Sequence, residues 1–354
     1  MNRLAVKVRH IFIALLSCTS VFILPMNFPV EKIFSVKSDE EFNEAALAVF
    51  HYQLKHCSVY REYVEQIKIN SKYINSIYDI PFLPVEFFKT QKILSDEKKE
   101  ELIFLSSGTT ATMRSRHFIA DKNLYIRSLE KSFEMFYGDT DNYCLLALLP
   151  SYIEQENSSL VFMVDTLVKK SFQPGSGFYP NDYENLFFNL RKLISEGKKI
   201  ILLGVSYALL DFAEKFSFPL RNVILMETGG MKGRREEITR QELHQQLCNA
   251  FQITSIHSEY GMTELLSQAY SKGSGIFRSP PWMKIILRNP DDPLDVSAIN
   301  KNGIINVIDL ANIFSCSFIA TQDLGRKIND GSFEVIGRTD YSDARGCNLM
   351  VSDF

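Results

Sequence analysis

Apolar residues Phe42, Ala45, Ala46, Val49 and Phe50 recur at helical spacing behind Ser38-Asp39-Glu40-Glu41, which reads as a capping box. The pattern predicts a helix that opens the globular part of the chain and runs on beyond His56. Pro81 and Pro84 each remove a backbone donor and restrict the residue before them, so residues 80–84 are expected to be extended and to lead into Phe87 and Phe88. Beyond this point short apolar runs alternate with amphipathic ones. Strands are expected over 102–105, 143–149, 199–205, 222–226 and 253–257. Helices are expected over 122–136, 159–169, 183–195 and 237–251, with one more between the strands at 199–205 and 222–226. Such alternation implies an α/β fold with a mainly parallel sheet flanked by helices. After Gly273 prolines, glycines and short alternating stretches at 304–308, 314–319 and 333–336 predict a small antiparallel β lobe.

Composition narrows the class. A chain of 354 residues with 45% hydrophobic and 23% charged residues has the balance of a soluble protein with a sizeable core. A net charge of -3 with scattered Lys and Arg gives no footprint for nucleic acid. Six cysteines, at 18, 57, 144, 248, 316 and 347, show neither a paired framework nor metal-ligand spacing, which fits a reducing cytoplasm. The N-terminus departs from this picture. Arg3, Lys7 and Arg9 precede an apolar run over 11–24, laid out like a signal peptide and shorter than the ~20 residues of a membrane helix. Met26 opens sequence of ordinary cytosolic character, so residues 1–25 are read as a misassigned start, with a targeting segment as the alternative. No stable membrane span is expected.

Four short segments carry the candidate chemistry. Ser106-Ser107-Gly108-Thr109-Thr110 follows a predicted strand, and small hydroxylated residues around glycine leave backbone N–H groups free for phosphate oxygens. It is not a Walker A loop, because GxxxxGK is absent. Glu227-Thr228-Gly229-Gly230-Met231-Lys232-Gly233 follows the strand at 222–226, where open parallel sheets gather their ligands. His257-Ser258-Glu259-Tyr260-Gly261-Met262-Thr263-Glu264 offers a ring for stacking, with Thr263 and Glu264 as oxygen donors to a hard cation. The last region holds Asp323, suited to ribose hydroxyls, Arg338, suited to phosphate, and Arg345-Gly346-Cys347. Each segment alone has an ordinary surface or turn explanation. Their order is the informative part.

In that order the segments resemble the motif series of the adenylate-forming superfamily that includes acyl-CoA synthetases and firefly luciferase. Ser107-Gly108-Thr109-Thr110 is similar to its phosphate loop, Tyr260-Gly261-Met262-Thr263-Glu264 to its YGxTE motif, Asp323 to its ribose-binding Asp and Gly337-Arg338 to its hinge. The narrower likeness is to acyl-protein synthetases of the LuxE type in bacterial fatty-acid reductase complexes. It is carried by residues 80–89, Gly229-Gly230-Met231-Lys232-Gly233 and Arg345-Gly346-Cys347, and it covers most of the chain from Met26. The resemblance implies an adenylate-forming large domain over 26–336, and a hinge with a short tail over 337–354 in place of the usual C-terminal domain and its lysine. It also departs at Ala111, Met113 and Arg114, where the superfamily has Gly, Pro and Lys.

The resemblance further implies ATP and Mg2+ as cofactors. Ser107, Gly108, Thr109, Thr110, Gly229, Gly230, Glu259, Tyr260, Gly261, Thr263 and Asp323 are the expected nucleotide-binding set, with Glu264 on magnesium. The expected catalytic residues are Cys347 as acyl carrier, Arg338 at the hinge and His257 lining the acyl site. Arg345 beside Cys347 is expected to lower the thiol from its free value of ~8.5. The expected activity converts a fatty carboxylate to an acyl-adenylate and passes the acyl group to Cys347, then to a partner such as an acyl reductase subunit or a carrier thiol. The alternatives are direct donation to coenzyme A and a catalytically silent binding subunit.

Overall fold

The computed structural model describes residues 30–107, 113–149, 157–231, 234–290, 292, 294–296, 302–328 and 330–338. The segment 1–25 lies outside the described residues, as does the tail beyond Arg338. The first helix, α1 (Asp39–His56), buries Phe42, Ala45, Ala46, Val49 and Phe50 as its spacing predicts. Ser38 Oγ accepts the N–H of Glu41 at 3.2 Å, while the Glu41 carboxylate turns back to the N–H of Lys37 at 2.7 Å, one residue before the expected cap. The helix does not continue past His56. Asp96 takes both sides of the break, donating its N–H to His56 O at 2.6 Å and accepting from Ser58 N and Oγ. Cys57 is thereby held extended, and α2 (Ser58–Gln66) starts afresh.

Next come β1 (Leu83–Pro84), α3 (Phe87–Thr90), and a hairpin of β2 (Leu102–Leu105) and β3 (Arg116–Ile119). The alternating part follows as α4 (Lys122–Tyr137), β4 (Cys144–Leu148), α5 (Ser159–Ser171), β5 (Gly177–Phe178), α6 (Tyr183–Ser195), β6 (Ile200–Val205), α7 (Ser206–Lys215), β7 (Val223–Thr228), α8 (Arg240–Phe251) and β8 (His257–Tyr260). Every residue of β4 and β6 is buried, as expected of strands covered on both faces. The remainder is β9 (Ala269–Ser271), β10 (Ile276–Arg278), β11 (Met283–Arg288), β12 (Asn302–Asp309), β13 (Phe318–Lys327) and β14 (Phe333–Arg338).

These strands form one twelve-stranded sheet in the order β11-β12-β13-β14-β10-β9-β8-β7-β6-β4-β5, with β1 parallel to β13. Strands β4 to β8 pair in parallel, and β8 onward through β9, β10, β14, β13, β12 and β11 pair antiparallel. The predicted antiparallel lobe is thus continuous with the parallel sheet. Among the described residues, no helix is long and apolar enough to cross a membrane.

Two strand positions differ from expectation for identifiable reasons. The strand expected at 253–257 lies at His257–Tyr260, because Gln252 ends α8 in a left-handed conformation and Ile253 N–H returns to Cys248 O. The strand expected at 314–319 begins at Phe318. Fully buried Gln53 of α1 captures the preceding backbone, donating to Asn312 O at 3.1 Å and Ile313 O at 2.9 Å and accepting Ser317 N at 3.1 Å. Gln53 therefore welds α1 to the entry of β13. Replacing it by Leu leaves those buried groups unpaired and is expected to cost about 2–4 kcal/mol, read from the midpoint of urea unfolding at unchanged slope.

Candidate active site

The parallel strands β6, β7 and β8 end side by side, and the expected motifs leave from those ends. After Thr228 the chain turns at Gly229 with φ +67°, a conformation that glycine adopts without strain. After Tyr260 comes Gly261, where an added Cβ would collide with the carboxylate of Glu259. Neighbouring residues of a strand face opposite ways, so Tyr260 and Glu259 serve different sides of the sheet.

On one side Tyr260 is packed edge-on against Phe277 and Phe333, and its hydroxyl donates to Asp323 Oδ2 at 2.8 Å. Arg338 Nε donates to Asp323 Oδ1 at 2.8 Å, across a register pair of β13 and β14. Burial together with the Asp323 charge pushes the Tyr260 phenol well above its ordinary value, so it remains a donor. A carboxylate has about four acceptor positions, so Asp323 keeps capacity for two further hydroxyl donors.

The same carboxyl end is tied to β3. His117, fully buried, sets Nδ1 2.8 Å from Thr263 O and Nε2 3.0 Å from Asn312 Oδ1. Asn312 in turn donates Nδ2 to Glu264 O at 2.8 Å. Burial pushes His117 down to about 4 and raises the Glu264 carboxyl, which Ser115 partly offsets by a hydrogen bond. Asp309 secures the following turn by accepting Leu266 N and Ser267 N at 2.8 and 2.9 Å. The base of the 106–115 loop is closed by Ser115 N donating to Ser106 Oγ at 2.9 Å and by Arg114 Nε donating to Ser106 O at 2.5 Å. Sequence reasoning missed His117, Asn312 and Asp309. Their only signal was a polar residue inside an otherwise apolar pattern.

Two buried glutamates flank this arrangement. Glu227, at the end of β7, receives Arg240 Nε at 3.2 Å and lies 3.5 Å from His244 Nε2, both on α8. Burial pushes it up, but His244 and Arg240 more than offset that, and it is held below the usual glutamate range. Glu259 accepts a hydrogen bond from Thr228 Oγ1 at 2.5 Å and has no salt bridge among the described residues. Burial, with the charge of Glu227 in addition, raises it to about 7 against the Thr228 hydrogen bond. On its side of the sheet a small apolar cavity of ≈ 10 Å³ is lined by Phe133, Leu167, Leu203, Met226 and Tyr270.

The structure thus brings together Gly229, Gly230, Tyr260, Gly261, Thr263, Glu264, Asp323 and Arg338 around the strand ends, with Glu259 turned to the other face of the sheet. Ser107 is exposed at the edge of its loop, while Gly108, Thr109, Thr110, Lys232, Gly233 and Cys347 lie outside the described residues. His257 sits apart, at the opposite end of β8, with Nδ1 3.1 Å from the Tyr137 hydroxyl and pushed down to about 4 by burial and by Lys272. No three His, Cys, Asp or Glu residues among those described form a metal-holding group.

Comparison with known proteins decides the family. The model of the acyl-protein synthetase family LuxE matches residues 27–354. This chain belongs to the LuxE acyl-protein synthetase family. A curated relative from Photorhabdus luminescens, named a long-chain-fatty-acid–luciferin-component ligase, is 41% identical over 64 residues, which cover 18% of this LuxE-family chain and 54% of that protein. ATP-bound MatB from Rhodopseudomonas palustris superposes with TM-score 0.52 at 15% identity over 69% of this chain and 49% of that one. An open 2-hydroxyisobutyryl-CoA ligase in complex with 2-HIB-AMP and CoA reaches TM-score 0.62 at 11% identity, over 86% and 75% of the two chains. The matches with the first two span about half the length of each relative. At these identities the structural likenesses establish the fold, that of the adenylate-forming ligases.

The contrast between the two glutamates has a measurable sign. Folded Glu259 keeps its proton up to about 7, whereas an ordinary glutamate loses it near 4.5. Its contribution to stability is therefore complete below 4.5 and is lost as the pH rises through about 7. Glu259→Gln is expected to raise the melting temperature relative to the parent by more at about pH 8 than at about pH 4, followed by thermal unfolding at both values.

Proposed function

We propose that this LuxE-family protein activates a fatty carboxylic acid with ATP as an acyl-adenylate and transfers the acyl group to a thiol. The observation that carries the reading is the Tyr260–Asp323–Arg338 cluster at the carboxyl ends of the parallel strands, in a chain of this family. Asp323 has the free acceptor positions to take the ribose hydroxyls, and Arg338 already orients it. Half of the Arg338 side chain is exposed, which leaves its remaining donors accessible to a phosphate. Glu264, with Thr109 and Thr110, would hold magnesium, which when bound supplies charge neutralisation for the leaving pyrophosphate. His117 and Asn312 fix the backbone of Thr263 and Glu264 against β3.

In the first half-reaction the carboxylate oxygen attacks the α-phosphorus of ATP and pyrophosphate departs. In the second a sulfur attacks the acyl carbon and AMP departs. Cys347 is the proposed sulfur, with an acyl reductase subunit or a carrier as the next acceptor. The long-chain acid follows from the name of the Photorhabdus luminescens relative. The apolar face between the sheet and α4–α5 is the proposed place for the chain, and its ≈ 10 Å³ cavity must widen to admit one.

Acid-dependent exchange of pyrophosphate into ATP tests the first half. Exchange with tetradecanoic acid is expected, and Asp323→Ala should raise KM for ATP or lower exchange by about 10- to 100-fold, the loss of charge-assisted hydrogen bonds. Cys347→Ser should keep exchange and abolish radiolabelled acyl-protein. Persistent labelling excludes the cysteine, and transfer to coenzyme A in its place favours direct donation.

A further inference from the structure

The two buried glutamates at the ends of β7 and β8 are not equivalent, and Glu259 has no use in the scheme so far. Glu227 is matched with a guanidinium and an imidazole. Glu259, 9% exposed, has one hydroxyl partner. A buried carboxylate without a cation is costly, and a neutral side chain of similar shape would serve packing better. Its position is informative as well. The Oε1 atom lies directly against the α-carbon side of Gly261, between the Thr228-Gly229-Gly230 turn and the Tyr260 motif.

We propose, resting on the acyl-activation reading above, that Glu259 is the proton acceptor of the transfer half-reaction. As the thiol sulfur bonds to the acyl carbon, its proton passes to a Glu259 oxygen. The bond from that carbon to the phosphate oxygen breaks, and the electron pair leaves on AMP. Glu259 then returns its proton to water, so nothing is oxidised or reduced. The groups facing it are Thr228 from β7, Tyr125 and Tyr137 from α4, and Tyr270 from β9, with His257 further back on its own strand, Lys272 beyond Tyr137, and the charge of Glu227 acting from the other face of the sheet. Among these, the tyrosines are pushed up by burial and remain neutral donors, and Glu227 carries the negative charge that favours proton uptake. A carboxylate poised near neutrality is well matched to a thiol, whose ordinary value is ~8.5.

The test separates the two half-reactions in the full-length chain. Pyrophosphate exchange with tetradecanoic acid is measured beside acyl transfer to added N-acetylcysteamine and to the protein itself, from about pH 5.5 to about 9. Repeating it with Cys347→Ser removes the proposed protein acceptor, so that transfer to the added thiol is followed by itself. Parent transfer is expected to rise with pH through about 7 and level off. In Glu259→Gln the ratio of transfer to exchange should fall at least about tenfold and the rise should vanish; Glu259→Asp should transfer slowly but keep it. If the Gln variant does not fold, the Asp variant alone decides, by slowed transfer with the rise retained. A Gln variant with parental ratio and pH profile overturns the proposal alone. A parent without acid-dependent exchange overturns the acyl-activation reading, and the proposal with it.

Discussion

Asp323 is the carboxylate on which the site's geometry depends. It lies on β13 in the antiparallel half, yet its two oxygens are held by Tyr260 at the end of the parallel run and by Arg338 at the end of β14. Removing Asp323 would leave both the Tyr260 hydroxyl and the Arg338 guanidinium without this partner, whereas removing either of those would leave one Asp323 oxygen unsatisfied. The cluster therefore fixes how the two halves meet, and places a charged acceptor beside the strand ends, where ligands of open parallel sheets collect. Arg240 adds a second tie, since its guanidinium touches Glu227 of β7 and donates to Val335 O of β14 at 2.7 Å.

Around this junction the sheet separates two environments. One face carries compensated charges: Glu227 with Arg240 and His244, Asp323 with Arg338. The other carries Glu259 over a slab of Phe, Leu and Met. Alternation along β8 achieves the separation within neighbouring residues, so one short motif presents side chains to two different dielectric environments.

Much of the fold was legible because it is written in periodicity. Short apolar runs of five or six residues at β4 and β6, bounded by polar residues, read as buried strands, and the Phe42–Phe50 spacing reads as a helix. What escaped was decided by contacts remote in sequence. Asp96 breaks α1 from forty residues away, and Gln53 takes the backbone that an apolar pattern at 314–317 assigns to a strand. Helix α8 starts at Arg240 and not at 237 because Thr239 and Glu242 form a reciprocal cap, a signal present in the sequence and passed over. In the site, motif order singled out Tyr260, Asp323 and Arg338, whose side chains the structure brings into contact. It did not show that Glu259 turns away from them, because side-chain direction follows from strand bounds, and the bounds of β8 were set too early.

Strand β14 is last in chain order among the described residues, yet it sits inside the sheet, between β13 and β10. On a ribosome, then, the two halves emerge as separate β surfaces with unpaired edges at β13, ten residues long, and at the three-residue β10, until β14 slides between them. Insertion of β14 and assembly of the Tyr260–Asp323–Arg338 corner become the same late event. Until then the nascent chain carries two open edges of the kind that chaperones recognise and aggregates exploit.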